Sequence, residues 1–271
     1  MRELGALAFL PALAMTLGAQ QPRYQFAARD TVRYQEITES RIELRPPRGP
    51  VAITSSHDAK IAASAERGDT IRAWYESLVL SSVGPQGESR PSTDAALRLP
   101  FRLVITPSGH VSTAAAPLFP AEVASITDLT RQFEDFFIAL PSSALRPEAI
   151  WADTVTNSTV VSSPDSFESR HIRRYRVLRD TLVAGGIVAV LIAVEQEIAF
   201  HYRSPMKNAP VVIDTRLEGH ETGTAVFAAA SGRMLSRVRR GQLSGAQVLR
   251  GEGREMTVPM TYDYSSTLSA R

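Results

Sequence analysis

The 271-residue chain contains no cysteine. Disulfide staples, thiolate catalysis and cysteine-bound zinc are therefore excluded, and so is a lipid-modified cysteine behind an export signal. Lysine is almost absent as well: Lys60 and Lys207 are the only two, so the basic character is carried by arginine. The formal net charge is only +2, which gives no field strong enough to steer the protein to nucleic acid. None of the five histidines pairs with another at the i, i+4 spacing of a helical zinc site, and no His-Glu-x-x-His occurs. The Gly-x-Ser-x-Gly nucleophile elbow is missing. "SPMK" at 204–207 matches Ser-x-x-Lys, but the companion Ser-Asp-Asn and Lys-Thr-Gly elements do not occur. Asp-Thr recurs at 30, 69, 153, 180 and 214, never followed by the glycine an aspartic protease uses to bring two carboxylates together. A turn-favouring Asp leading into a β-favouring Thr accounts for these pairs. The expectation is a protein without cofactor or metal that is not an enzyme.

Long hydrophobic runs are also lacking beyond the N-terminus. Met1-Arg2 is followed by an apolar run, Leu4–Leu17, and then by small and polar residues in "TLGAQQP". That layout predicts a signal peptide over 1–19 and export to the periplasm or beyond. In the rest of the chain the most apolar stretch is Leu182–Val194, thirteen residues, against about twenty for a membrane helix. Its β-branched content predicts a strand, with Val188, Val190, Ile192, Val194, Ile198 and Phe200 on one face, interrupted by Gln196. The strand is expected to be dry at its start and wet by Glu195. Gly185-Gly186 supplies the hairpin turn before it.

What the chain does have is alternation. "LRLPFRLVI" (97–105) sets Leu97, Leu99, Phe101, Leu103 and Ile105 on one face, and "MTVPMTYDY" (256–264) does the same with Met256, Val258, Met260, Tyr262 and Tyr264. Pro259 marks an edge or bulge there, because proline cannot donate to a ladder. Turn signals lie between such runs, as in "TPSGH" (106–110) and "ASGR" (230–233). One segment departs from this period: in 120–140, Val123, Ile126, Leu129, Phe133, Phe136, Phe137 and Leu140 recur at helical spacing between Pro120 and Pro141. The fold expected is mainly β, a single domain over 20–271. It is a curved antiparallel sheet, an open half-barrel, with one amphipathic helix against its concave side.

"TPSGHV", an expected helix ending in Leu-Pro, "IWADTV", "GGIVAV" and "GHETGTAVFAAASGRMLS" follow in that order from Leu97 to the C-terminus. This order resembles secreted β-rich bacterial proteins of unknown function, with Trp151, Asp153, Thr154, Gly223, Phe227 and Gly232 as the matching residues. It is more distantly similar to the half-barrels of periplasmic lipoprotein carriers, which wrap a sheet around helices to hold acyl chains. The resemblance implies a fold and no catalytic residues. Two functions follow. In the first, an apolar or lipid-like ligand lies between sheet and helix, lined by Phe101, Phe133, Phe136, Phe137, Trp151 and Phe227. In the second, the protein is a structural or interaction protein of the cell envelope without a small ligand. The arginine runs "RHIRRYRVLR" (170–179) and "RMLSRVRR" (233–240) would then form a basic face toward an envelope partner or an anionic surface, or stand as solvated strand faces paired with acidic residues.

Overall fold

A computed structural model of the protein describes residues 21–26, 30–124, 126, 129, 132–162, 165–183, 185–206, 210–251 and 253–271. The expected signal peptide lies outside these residues, as do positions 125, 127, 128, 130 and 131 of the expected helix. Twelve strands form one antiparallel sheet: β1 (Thr31–Leu44), β2 (Val51–Ala65), β3 (Thr70–Gly84), β4 (Gly87–Ser89), β5 (Phe101–Ile105), β6 (Val111–Ala115), β7 (Ile150–Ser162), β8 (Asp165–Val183), β9 (Ile187–Pro205), β10 (Val211–Ala228), β11 (Arg233–Gly251) and β12 (Arg254–Ala270). Their spatial order is β6-β5-β3-β2-β1-β12-β11-β10-β9-β8-β7, with β4 attached to β3. The β1–β12 ladder, from Tyr34↔Ala270 to Leu44↔Met260, joins two meanders into one surface. The sheet does not close, since β6 and β7 are its two ends.

That topology dictates where the long connection goes. Residues 116–149 must run from one edge strand to the opposite edge, and the direct route crosses the concave face. The sheet wraps around them: on the turn between β5 and β6, His110 Nε2 comes within 3.2 Å of Asp153 Oδ2 on β7. The main core accordingly draws side chains from both meanders and from the connection.

The helix expected over 120–140 is not what the described residues show. They contain an α-helix, α1, only over Ala121–Ala124, and 132–140 are turns and irregular chain. The apolar periodicity was real, but its cause was different. Phe136, Phe137, Ile138, Ala139 and Leu140 are buried one after another, which a one-sided helix cannot achieve. A segment surrounded by sheet has no solvent face to reserve. Short turns satisfy part of its backbone, as where Phe136 N donates to Phe133 O at 3.2 Å, and its last residues are satisfied from outside: Leu140 N donates to Ser108 O at 2.7 Å, and Ile138 O accepts from the Tyr24 hydroxyl at 3.1 Å.

The alternating strands largely lie as their patterns require, although Met256, expected on the inward face of 256–264, is exposed. In β5, Phe101, Leu103 and Ile105 are buried and Arg102 and Val104 are exposed. β12 is central, yet Pro259 sits just past the Leu44↔Met260 end of the β1 ladder, where a missing donor disturbs least. In β9 the inward face carries Val190, Ile192, Val194, Gln196 and Ile198, all buried. The expected wet–dry gradient is reversed at the start of that strand. Leu182 and Val188, paired across the β8–β9 hairpin, are 71% and 64% exposed. The hairpin overshoots the core, and Gly185 and Gly186, at φ +82° and +73°, turn the chain in the left-handed conformation that suits the sheet's twist. The convex face carries charge, with Arg174, Arg176, Glu195, Glu218 and Arg240 pointing to solvent, next to exposed Ile37, Val79 and Val238.

Candidate functional site

Along the strands the concave side divides into three zones. The first is a dry aromatic end. Phe101, Phe133, Phe136, Phe137 and Phe227 are at most 3% exposed and pack edge-on, with Phe101–Phe133 centroids at 4.8 Å and Phe136–Phe137 at 4.9 Å. Tyr24 from the N-terminal segment closes over Phe137 and Phe227 at 5.0 and 5.2 Å. Trp151 stands beside this cluster. It stacks on Tyr175 at 5.1 Å, and its indole N–H donates to Ala139 O at 2.9 Å. The structure thus brings the six aromatic candidates together, as packing around the connecting segment, and none of them lines the open cavity described below. The Trp-x-Asp segment has a visible task here. Asp153 accepts from the Tyr175 hydroxyl at 3.2 Å and meets His110 of "TPSGH", so two of the sequence motifs clamp residues 138–140 between them.

The second zone is an ionised layer across the sheet. Inward alternation places Glu36 on β1, Glu221 on β10, Arg237 and Arg239 on β11 and Arg173 on β8 at similar height, all buried or nearly so. Asp135 of the connecting segment reaches Arg173 at 2.9 Å and Arg239 at 3.0 Å, and its backbone carbonyl accepts from Arg237. Arg239 also lies 3.9 Å from Glu36 and 3.8 Å from Glu221. Glu36 accepts from Ser266 at 3.1 Å and from Gln132, with His57 at 3.4 Å. Burial by itself would raise the Glu36 pKa. The hydrogen bond and charge of His57 and the charges of Arg239 and Arg237 outweigh it and hold the value at about 2. Asp135 is lowered in the same way, burial being overcome by Arg173, Arg237 and Arg239. The two arginine runs therefore do not make a single basic face. Alternation turns Arg173, Arg237 and Arg239 inward and leaves Arg174 and Arg240 outside, with Arg174 paired to Glu197 at 3.2 Å.

Above this layer lies the third zone, a partly open cavity of about 490 Å³. Ile42, Ile198, Phe200, Leu217, Leu243, Met260 and Tyr262 form its walls, and Thr38, His57, Gln132, Asp135, His171, Gln196, Arg239 and Tyr264 its floor. Gly241 shapes that floor. A Cβ there would lie 2.3 Å from the Tyr264 ring, so the absent side chain lets Tyr264 lie across β11. From that position its hydroxyl donates to Glu221, and Arg239 sits 5.9 Å from its ring centroid. Burial and the Glu221 charge push the Tyr264 pKa up, so it stays a donor. His171 accepts from the Gln196 amide at 2.8 Å; burial lowers its pKa, with the charges of Arg173 and Arg239 acting the same way and those of Asp135 and Glu221 opposing. No group of His, Asp and Glu side chains among the described residues is arranged to hold a metal ion.

The floor was not recognised in the sequence, although a signal for it was present. On two of the contributing strands one polar residue interrupts an otherwise apolar or glycine-bearing inward face: Gln196 between Val194 and Ile198, and Glu221 between Leu217 and Ala225; on β1 the inward face turns polar at Glu36, after Tyr34. A single such interruption reads as the wet end of a strand. Only the ladder register aligns them into one layer.

No family model and no curated protein matches the chain. Solved structures with some similarity include OccK2 (OpdF) of Pseudomonas aeruginosa, at 7% identity and a TM-score of 0.24, covering 91% of this chain and 99% of that one. OccK11 (OpdR) of the same organism gives 8% identity and a TM-score of 0.21, covering 93% of this chain and 100% of that chain. A loop-deletion mutant of OmpT, an outer membrane protein of Vibrio cholerae, gives 9% and 0.19, covering 89% and 99%. TM-scores this low define no shared fold. No helix among the described residues is long and apolar enough to cross a membrane.

Proposed function

We propose that the protein is a non-enzymatic binding protein of the bacterial envelope, periplasmic or secreted, that holds a partly apolar small molecule on the concave side of an open half-barrel. The observation that carries this reading is the cavity of about 490 Å³, with apolar walls over a polar floor, beside a fully packed core. Its size falls within the range of small-molecule sites, roughly 300–1,000 Å³. Export rests on the signal-like residues 1–19, and a water-facing convex surface fits an exported soluble domain. An outer-membrane barrel needs an outward apolar band about 25 Å tall, where this sheet carries Arg174, Glu195, Glu218 and Arg240.

The test is ligand capture. Protein purified from its native compartment is expected to release an apolar compound on organic extraction, seen as a mass difference in native mass spectrometry. A neutral hydrophobic dye such as N-phenylnaphthylamine should brighten on binding. Leu243→Trp, which fills the cavity from one wall, should abolish that signal while circular dichroism and Tm stay near wild type. An empty extract together with an unresponsive dye would rule the reading out. The exposed apolar tip at Leu182 and Val188 favours the second reading, an interaction protein of the envelope. In that case crosslinking would recover a partner whose capture depends on this tip.

A further inference from the structure

The cavity floor restricts what the ligand's polar end can be. Among the described residues, its lining includes Asp135 and Arg239, paired with each other at 3.0 Å, and His57, whose Nε2 already faces the Glu36 carboxylate at 3.4 Å. An anion approaching Arg239 would compete with Asp135 and meet the charges of Glu36 and Glu221, both within 4 Å of that guanidinium. A cation approaching Asp135 would meet Arg173 at 2.9 Å as well as Arg239. Neither sign of charge finds an unopposed partner, and a charge taken from water without one is disfavoured.

Neutral hydrogen-bonding capacity remains. With Nδ1 accepting from the Gln196 amide, neutral His171 carries its proton on Nε2 and can donate to a ligand oxygen. The Gln196 amide oxygen can accept from a ligand hydroxyl or N–H. Both residues line the cavity beneath the apolar walls.

We infer that the ligand bears an uncharged hydrogen-bonding head, a hydroxyl or amide, on an apolar body, and that carboxylates, phosphates and ammonium groups are selected against. The inference rests on the cavity being a binding site, as proposed above. It is tested with three probes that share one tail: decanol, decanoate and decylamine. Binding to the full chain at neutral pH is followed through the 13C-methyl signal of Met260 in the cavity wall, assigned with Met260→Leu. Decanol is expected to shift that signal and to bind at least about tenfold more tightly than either charged analogue. His171→Ala should reduce the preference for decanol without abolishing tail binding. If decanoate or decylamine binds as tightly as decanol, the head-group selection is overturned and the cavity remains a site. If none of the three binds, the cavity reading itself fails, and the head-group inference with it.

Discussion

Glu36 shows how one side chain ties the two halves of the concave face together. It is fully buried, and its neighbours hold its pKa at about 2 against an ordinary 4.5. The fold thus favours the ionised form. Its stabilising contribution is complete above pH 4.5 and is lost as pH falls toward 2. A depression of this size corresponds to about 3 kcal/mol. Urea titrations across that pH window are expected to show the wild-type advantage over Glu36→Gln shrinking by about that amount. A constant difference would mean that the carboxylate is not held ionised. In the sequence Glu36 is one more polar residue in "RYQEITES". Its role is decided by Ser266, Gln132 and Arg239, which arrive from 230, 96 and about 200 residues away.

At the scale of elements, the connecting segment and the β8–β9 hairpin depart most from expectation. The segment is held from outside by Ser108, Tyr24 and Trp151 rather than by a helix of its own. Trp151→Ala removes a stacked ring and the hydrogen bond to Ala139 O together, and should destabilise the protein by about 3 kcal/mol. Amide exchange should accelerate first in 138–140 and in the 106–110 turn, as a mass-spectrometric exchange map can show. Uniform acceleration across the sheet would argue against a local clamp. The hairpin tip behaves oppositely. Leu182 and Val188 are largely exposed and stand outside the core, so Leu182→Ser with Val188→Ser should change the unfolding free energy by no more than about 0.5 kcal/mol. A large loss in a thermal melt would show that the tip is packed in solution.

For the whole molecule, the ionised layer divides one sheet into a close-packed end and an open end. Hydrogen exchange is therefore expected to be slowest at the aromatic end of each strand. Within β1, amides near Val32 and Tyr34 should outlast those near Ser40 and Ile42, and within β9 those near Ile192 should outlast those near Phe200. Equal protection along these strands would mean that the cavity end is as tightly packed as the aromatic end, which would also remove the basis for a ligand site. Addition of a bound ligand should protect the open end selectively.

The sequence alone determined some of the strands, with their inward faces and turns, because alternation and glycine or proline placement are local consequences of backbone geometry. "FRLVI" at 101–105 and Gly185-Gly186 were legible for that reason. It also determined that residues 123–140 are apolar enough to be buried, through Val123, Leu129, Phe133, Phe136 and Leu140. The tertiary structure alone decided the rest. Periodicity records how often a side chain is buried, not how many sides bury it, so a segment wrapped by sheet imitated a helix. The floor of the cavity depends on register between strands far apart in the chain. Only pairing brings Glu36, Asp135, Gln196, Glu221 and Arg239 to one height, where mutual ionisation can offset the cost of removing them from water.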